Sequence, residues 1–387
     1  MDFLKKAEEI KEMLIDFRRD FHENPELDFE LYRTSTKIKE FLEKEGIEYY
    51  DCAKTGICAT IRGRGQKTVA LRGDMDALPI NEKNSCSYKS KNEGVMHACG
   101  HDAHTTMVLG AAKILNSIKD SLNGNVRLLF EPAEETTGGS RLMIAEKALA
   151  GVDGVIGLHV EEWIESGKIG IKKGVVNAAS NPFTVKIKGR GGHGAAPQYT
   201  VDPIIIASNL IVSLQSIISR EIPPTDAAVI TIGEIHGGTA QNIIPSEVIL
   251  RGIIRTVRTE HREYVKKRFY DVTEGIVHSM RGTCEIEIEE SYPCLYNDDE
   301  MTDILTNSAR KVIGDQNIEI LEAPSMGVES FAYFAMEKPA VFYKLGCGNK
   351  EKGIIHPAHS DKFDIDEQCL TIGTAIHCQA VFDFLNR

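Results

Sequence analysis

The strands that can be read from this chain change character twice, and that change limits its fold more than any single motif. The short apolar runs at 68–72, 125–130 and 155–160 carry no polar alternation, as expected of strands covered on both faces of a parallel sheet. At 183–188 the residues begin to alternate inward and outward, and they do so again at 283–289, as half-exposed strands do. After Pro293 the covered style returns at 340–345. Helical apolar spacing fills the intervals at 2–22, 33–46, 260–280, around 299–313 and from Asp366 onward. One helix opens at Asp102 as N-cap and carries Met107, Val108, Ala111, Leu115 and Ile118 on one stripe; another opens at Pro203 behind Asp202. Since 387 residues exceed what one core organises, the pattern implies an α/β domain with a mostly parallel sheet flanked by helices, built from 1–180 and 292–387. Inserted into it is a βαββαβ, ferredoxin-like α+β domain over 181–291.

Composition narrows the partners. With 57 acidic against 45 basic residues the net charge is −12, so no nucleic acid is expected. No apolar run is read as long enough for a bilayer, so no membrane partner is expected either. The charged, helical start offers no secretory signal. Nine cysteines, an odd number without framework spacing, then point to free thiols in the cytoplasm.

Metal-binding residue types collect just after the runs read as parallel strands. The first runs into Arg72-Gly-Asp74-Met-Asp76, followed by His97-Ala-Cys99-Gly-His101-Asp102-Ala-His104. The next runs into Glu131-Pro-Ala-Glu134-Glu135, and a third carries His159; His356-Pro-Ala-His359 stands near the C-terminus. Ligands of open α/β sheets bind beyond the carboxyl ends of the strands. Separate segments delivering thiolate, imidazole and carboxylate to that edge suggest a metal site for zinc, manganese, cobalt or nickel, among which sequence does not choose. Taken singly, each piece has a plainer reading: Glu134-Glu135 as a solvated helix start, Asp74 and Asp76 as turn residues, His159 as a core histidine. Cys99 as a nucleophile is disfavoured by its carboxylate neighbours.

The run 97–104 resembles the signature of the M20 metallopeptidase family, amidohydrolase branch. Further blocks agree in order: Arg18-Arg19-Asp-Phe-His22 with Pro25-Glu26-Leu27, Arg72 to Pro79, Phe130 to Glu135, Gly157-Leu-His159-Val, Gly189 to Pro197 around His193, Asn242-Ile-Ile-Pro245, and His359-Ser-Asp-Lys-Phe363. The resemblance spans essentially the whole chain. It implies two divalent metal ions per subunit, held by Cys99, His101, Glu135, His159 and His359. Cys99 would bridge them, and His356 is the fallback for His359. It also implies Glu134 as general base, Asp76 as the aspartate that orients a ligand, and His193 as oxyanion donor, reaching from a lid domain into the partner subunit of a homodimer. Asn242 would assist His193, and Arg255 is the candidate for binding a substrate carboxylate. Asp74 stands where peptidase branches carry a metal histidine. The segment Met326-Gly-Val-Glu329-Ser330-Phe resembles a substrate-side loop, with Ser330 where many members have aspartate.

The activity this implies is hydrolysis of small N-acyl amino acids to amino acid and carboxylic acid. The alternatives are a dipeptidase or aminopeptidase of the same wider family, and a catalytically silent metal-binding homologue.

Overall fold

The computed structural model describes residues 1–136 and 138–387. Two compact units emerge: Met1–Val176 with Tyr296–Ala323 and Glu329–Arg387, and Asn177–Leu295 with Pro324–Val328. The sequence pattern assigns 324–328 to the larger domain. Backbone contacts take it to the smaller one, because the Ala178 amide donates to the carbonyls of Ser325 and Gly327 at 3.0 and 3.1 Å.

The larger unit begins with α1 (Phe3–Glu9), α2 (Lys11–Glu23) and α3 (Tyr32–Lys44). The single helix expected over 2–22 is thus two, broken at Ile10, whose backbone leaves the helical region and whose amide turns back to the Ala7 carbonyl. Next come β1 (Glu48–Cys52), β2 (Gly56–Ile61), β3 (Lys67–Asp74), α4 (His101–Ser117), β4 (Gly124–Glu131), α5 (Gly139–Ala145), β5 (Gly154–Glu165) and β6 (Ile169–Ile171). The smaller unit supplies β7 (Ala179–Lys188), α6 (Pro203–Ser216), β8 (Ala228–Gly237), β9 (Glu247–Thr256), α7 (Thr259–Ser279) and β10 (Thr283–Ile288). The larger unit resumes with α8 (Asp299–Ile313), β11 (Ile318–Ile320), α9 (Phe331–Glu337), β12 (Ala340–Gly348) and α10 (Gln368–Leu385).

The large sheet has the order β1-β2-β4-β3-β5-β12-β6-β11. Its central strands β4, β3, β5 and β12 run parallel, while β1, β2 and the β12–β6 pairing are antiparallel. Burial explains the unalternated runs: β12 is buried along its whole length and β3 everywhere but its first residue. Helices α4 and α10 bury nearly every residue they have against this sheet and each other. The carboxyl ends of β3, β4 and β5 therefore open on one edge, and α4 starts there.

In the smaller unit an antiparallel sheet of order β8-β9-β7-β10 packs one face on α6 and α7, through Phe183, Val185, Leu250, Leu210 and Phe269 among others. Asp202 caps α6 by accepting from the Ile204 and Ile205 amides. One expectation fails here. The stretch Pro203–Glu221, 19 residues of mean hydropathy 1.4, is long and apolar enough to cross a bilayer by length and composition. About a third of it is buried in the unit's own core, while Ile204, Ile205 and Val212 are exposed.

Candidate metal centre

Gly100 makes the approach possible. It holds φ +84°, and a Cβ there would meet Val160 Cγ2 at 2.3 Å, so only glycine lets the chain turn between Cys99 and the first residue of α4, His101. Asp102, expected as the N-cap, sits inside the first turn with its side chain buried; Gly100 occupies the cap. His159 comes from β5, Glu134 and Glu135 from the turn after β4, and His359 from the loop before α10. Two of these segments hold non-glycine residues at positive φ, Ala133 at φ 55° and His359 at φ 65°. Such strain costs about 1–3 kcal/mol per residue and persists only where surroundings enforce it; the His359 amide is pinned to the Ala98 carbonyl at 2.7 Å.

Ligand atoms of Cys99, His101 and His159 lie within 4.8 Å of one another, and so do those of Cys99, Glu135 and His359. Cys99 belongs to both groups. A third group joins His101, Glu134 and Glu135, and a fourth Asp74, His101 and His104. His356 is in none of them, so the fallback for His359 is not brought to the site. Cys99 Sγ is 3.3 Å from His159 Nε2, and His359 Nε2 is 3.2 Å from Glu135 Oε1. His159 Nδ1 donates to the Val160 carbonyl at 2.7 Å, which leaves the Nε2 lone pair facing Cys99. Burial, followed by Lys344 and His104, holds this imidazole well below its usual pKa and hence neutral.

Acidic and basic groups perturb one another strongly here. Burial, then Glu135, pushes the Cys99 thiol up. Burial, then Glu329 and Glu135, raises Glu134 well above an ordinary carboxylate. Burial also acts on Glu135, but His359 and His101 outweigh it and hold that carboxyl low. For His101 burial is again overcome, by Asp74, Asp76 and Cys99, so its pKa lies well above normal. Both His101 nitrogens and Glu135 Oε1 are buried without a well-directed hydrogen bond. A thiol, imidazoles and carboxylates brought within reach of one another suit divalent cations.

The carboxylates that flank the recess are held from behind. Asp76 accepts from the Glu134 amide at 2.9 Å and the Glu135 amide at 3.1 Å, and its Oδ1 lies 3.4 Å from His101 Nδ1. Asp74 is occupied elsewhere: it takes Arg72 Nη1 at 2.6 Å and His104 Nδ1 at 2.6 Å, and His104 Nε2 accepts from the Val160 amide at 2.9 Å. The fully buried Arg72 also binds Glu131 at 2.7 Å, Glu329 at 3.0 Å and the Ser330 hydroxyl at 2.9 Å. Ser330 donates its hydroxyl to Glu131 at 2.7 Å and its amide to Glu134 Oε1 at 2.9 Å. Glu329 and Ser330, read from the sequence as part of a substrate-side loop, are both buried: Ser330 holds the Glu134 carboxylate, and Glu329 is a partner of Arg72. Sequence reasoning gave Arg72, His104 and Ser330 no such part; an arginine inside the otherwise buried run Val69-Ala-Leu-Arg72-Gly-Asp74 was the available signal.

In the smaller unit, His193 is exposed on the two-residue strand Gly192–His193, paired with Ile243, and its Nδ1 accepts from the Ala195 amide at 3.1 Å. Asn242 is brought beside it, its carbonyl accepting the Gly194 amide at 2.8 Å. Arg255 lies on β9, half-buried, donating to the Met326 carbonyl at 3.2 Å. Burial lowers its pKa.

Residues 70–383 match the description of peptidase family M20/M25/M40. Among curated relatives, the chain is 38% identical to thermostable carboxypeptidase 2 of Saccharolobus solfataricus, covering 100% of both. It is 41% identical to the N-acetyl-L-cysteine deacetylase of Bacillus subtilis, over 93% of this chain and 85% of that one. The crystal structure of a Bacillus subtilis protein described as a dinuclear metal binding peptidase from the M20 family superposes with TM-score 0.86 at 32% identity, covering 98% and 99% of the two chains.

Proposed function

The chain belongs to peptidase family M20/M25/M40 and is a metal-dependent amidohydrolase; we propose that its substrates are N-acyl amino acids, split into amino acid and carboxylic acid. The observation that carries this reading is the convergence of Cys99, His101, Glu135, His159 and His359 around Glu134, with Cys99 common to two ligand groups. These residues would hold two divalent ions, one among Cys99, His101 and His159 and the other among Cys99, Glu135 and His359. Bound there, the ions supply Lewis-acid chemistry, acidifying water and polarising a carbonyl.

The chain's own residues do the rest. Glu134, raised in basicity by its buried, negative surroundings, takes a proton from the attacking water and returns it to the leaving nitrogen as the C–N bond breaks. Ser330 and Asp76 fix where Glu134 points. His193, with Asn242 beside it, donates to the developing oxyanion, and Arg255 binds the substrate carboxylate.

The enzyme works as a homodimer through the smaller unit, with His193 serving the partner's site. Support comes from the apolar residues left exposed on α6 and the edge strand β8: Ile204, Ile205, Val212, Val229 and Ile235. All nine cysteines are free thiols, which supports a reducing, cytoplasmic setting.

A second reading, peptide cleavage, is favoured by the carboxypeptidase among the relatives. The zinc- or manganese-loaded enzyme should be offered N-acetyl and N-benzoyl amino acids beside free dipeptides. Faster turnover of the acylated compounds is expected; preference for free dipeptides would reverse the order. Failure to cleave any amide in a broad panel with metal bound would favour a catalytically silent homologue.

A further inference from the structure

Against Asp102 of the His97–His104 segment, a charged cluster is buried as deeply as the ligands themselves. Arg18 of α2 is fully buried. Its Nε donates to Asp102 Oδ2 at 3.1 Å, and its Nη2 donates to Asp364 Oδ1 at 2.8 Å. Glu367 stands 3.6 Å from Nη1. His22, one turn further along α2, hydrogen-bonds Asp102 through Nδ1 at 2.7 Å and reaches Glu82 through Nε2 at 3.3 Å. Tyr88 covers the Arg18 guanidinium, 4.8 Å from its ring centroid, and donates its hydroxyl to Asp364 at 2.9 Å.

The two carboxylates that Arg18 binds belong to different walls of the metal centre. Asp102 follows His101 directly, in the segment that also bears Cys99. Asp364 lies five residues after His359 on the loop that presents it. Elsewhere these walls are joined by the His359 amide donating to the Ala98 carbonyl, while a separate loop at 83–84 bonds the second wall at Asp361 and Phe363. His359 is the most exposed of the five ligand candidates, its side chain 54% accessible, so packing alone does not fix it.

We propose that Arg18 is a positioning residue for the dinuclear centre, setting the spacing between the Cys99–His101 segment and the His359 loop by bridging Asp102 and Asp364. This rests on the two-ion reading above. A guanidinium spans two carboxylates at fixed angles; an ammonium in its place is a single point charge that cannot. The consequence is asymmetric. Of the two ligand groups that share Cys99, only the one with Glu135 and His359 draws on the loop tied by Asp364. Loosening that arm should weaken one ion and spare the other. A cluster that merely stabilised the fold would affect both ions through general loosening.

The test uses Asp364→Asn, isosteric and at a side chain 21% accessible, and Arg18→Lys. Metal-free protein is titrated with zinc against a competing chelator, beside thermal unfolding of the metal-free form. Wild type should take up two ions. Asp364→Asn should keep one ion at wild-type affinity and bind the second about 10–100-fold more weakly, the scale for outer partners of metal ligands, with an unchanged metal-free melting temperature. Arg18→Lys should show the same split. Should either variant fail to fold, Tyr88→Phe, which removes only the phenol's bond to Asp364, should weaken the same single ion to a smaller degree. Two ions bound as in wild type, or two ions weakened equally alongside a lower metal-free melting temperature, overturn the inference. Fewer than two ions in wild type would defeat the two-ion reading itself, and this inference with it.

Discussion

Replacing Asp76 by asparagine changes almost no volume, yet the structure gives it a large effect. Asp76 uses both oxygens as acceptors, one for the Glu134 amide at 2.9 Å and one for the Glu135 amide at 3.1 Å. Asparagine has one acceptor oxygen. Its other terminal atom is an NH₂ group, which would face a backbone N–H, donor against donor. A buried donor left unsatisfied costs about 1–3 kcal/mol. The turn at 134–135 must then shift, and with it both the proposed general base and a candidate ligand. Asp76 Oδ1 also lies 3.4 Å from His101 Nδ1, where a carboxylate favours the tautomer with its lone pair on Nε2. With about 1.4 kcal/mol per tenfold in an equilibrium constant, the expected loss is about 10–100-fold in affinity for at least one ion, and at least about tenfold in kcat. The assay is zinc competition with a chromophoric chelator on Asp76→Asn and wild type, with circular dichroism to verify the fold. Affinities and kcat all within about twofold of wild type would show that Asp76 does not organise this turn.

Glu134→Gln keeps an oxygen to accept the Ser330 amide but loses its basicity, so it should retain both ions while kcat falls by at least about 10²; steady-state kinetics and elemental analysis on the same sample check both halves. Mixing Glu134→Gln with His193→Ala subunits should restore part of the activity that each lacks alone, whereas a flat result would mean that His193 acts within its own chain. His377 is held down to about 3, by burial first and His104 second. It stays neutral in the folded chain while its unfolded counterpart protonates below about pH 6.5. The unfolded state thus binds the extra proton, and His377 makes stability fall as pH drops from about 6.5 towards 3. In His377→Gln the slope of unfolding free energy against pH should be shallower by about 1.4 kcal/mol per unit across that window, measured by denaturant unfolding of the metal-free protein; an unchanged slope would contradict a buried, neutral His377.

The covered strands were legible because burial on both faces leaves a continuous apolar run, as in β3 and β12. The smaller unit's edge strand β10, alternating exposed and half-buried along its length, was legible for the opposite reason. The break at Ile10 was not, since Phe3, Ala7 and Leu14 keep helical spacing across it and only the backbone departs. Cys99, His101, Glu135, His159 and His359 could be picked out by residue type and by their place after strands, with the resemblance selecting among them. What sequence hid was the support. Arg18 bonds a residue 346 positions away and Arg72 one 257 away; buried arginines of this kind have no local pattern, because their partners are set by topology. Asp102 shows the same limit: an aspartate at a helix start reads as a cap, but Arg18 and His22 claim it.

The most direct test of the central claim is anomalous diffraction from zinc-loaded crystals. Two peaks are expected in each chain, one ringed by Cys99, His101 and His159 and the other by Cys99, Glu135 and His359, with Cys99 touching both. A single peak among Asp74, His101 and His104, or ions bound away from Cys99 altogether, would contradict it.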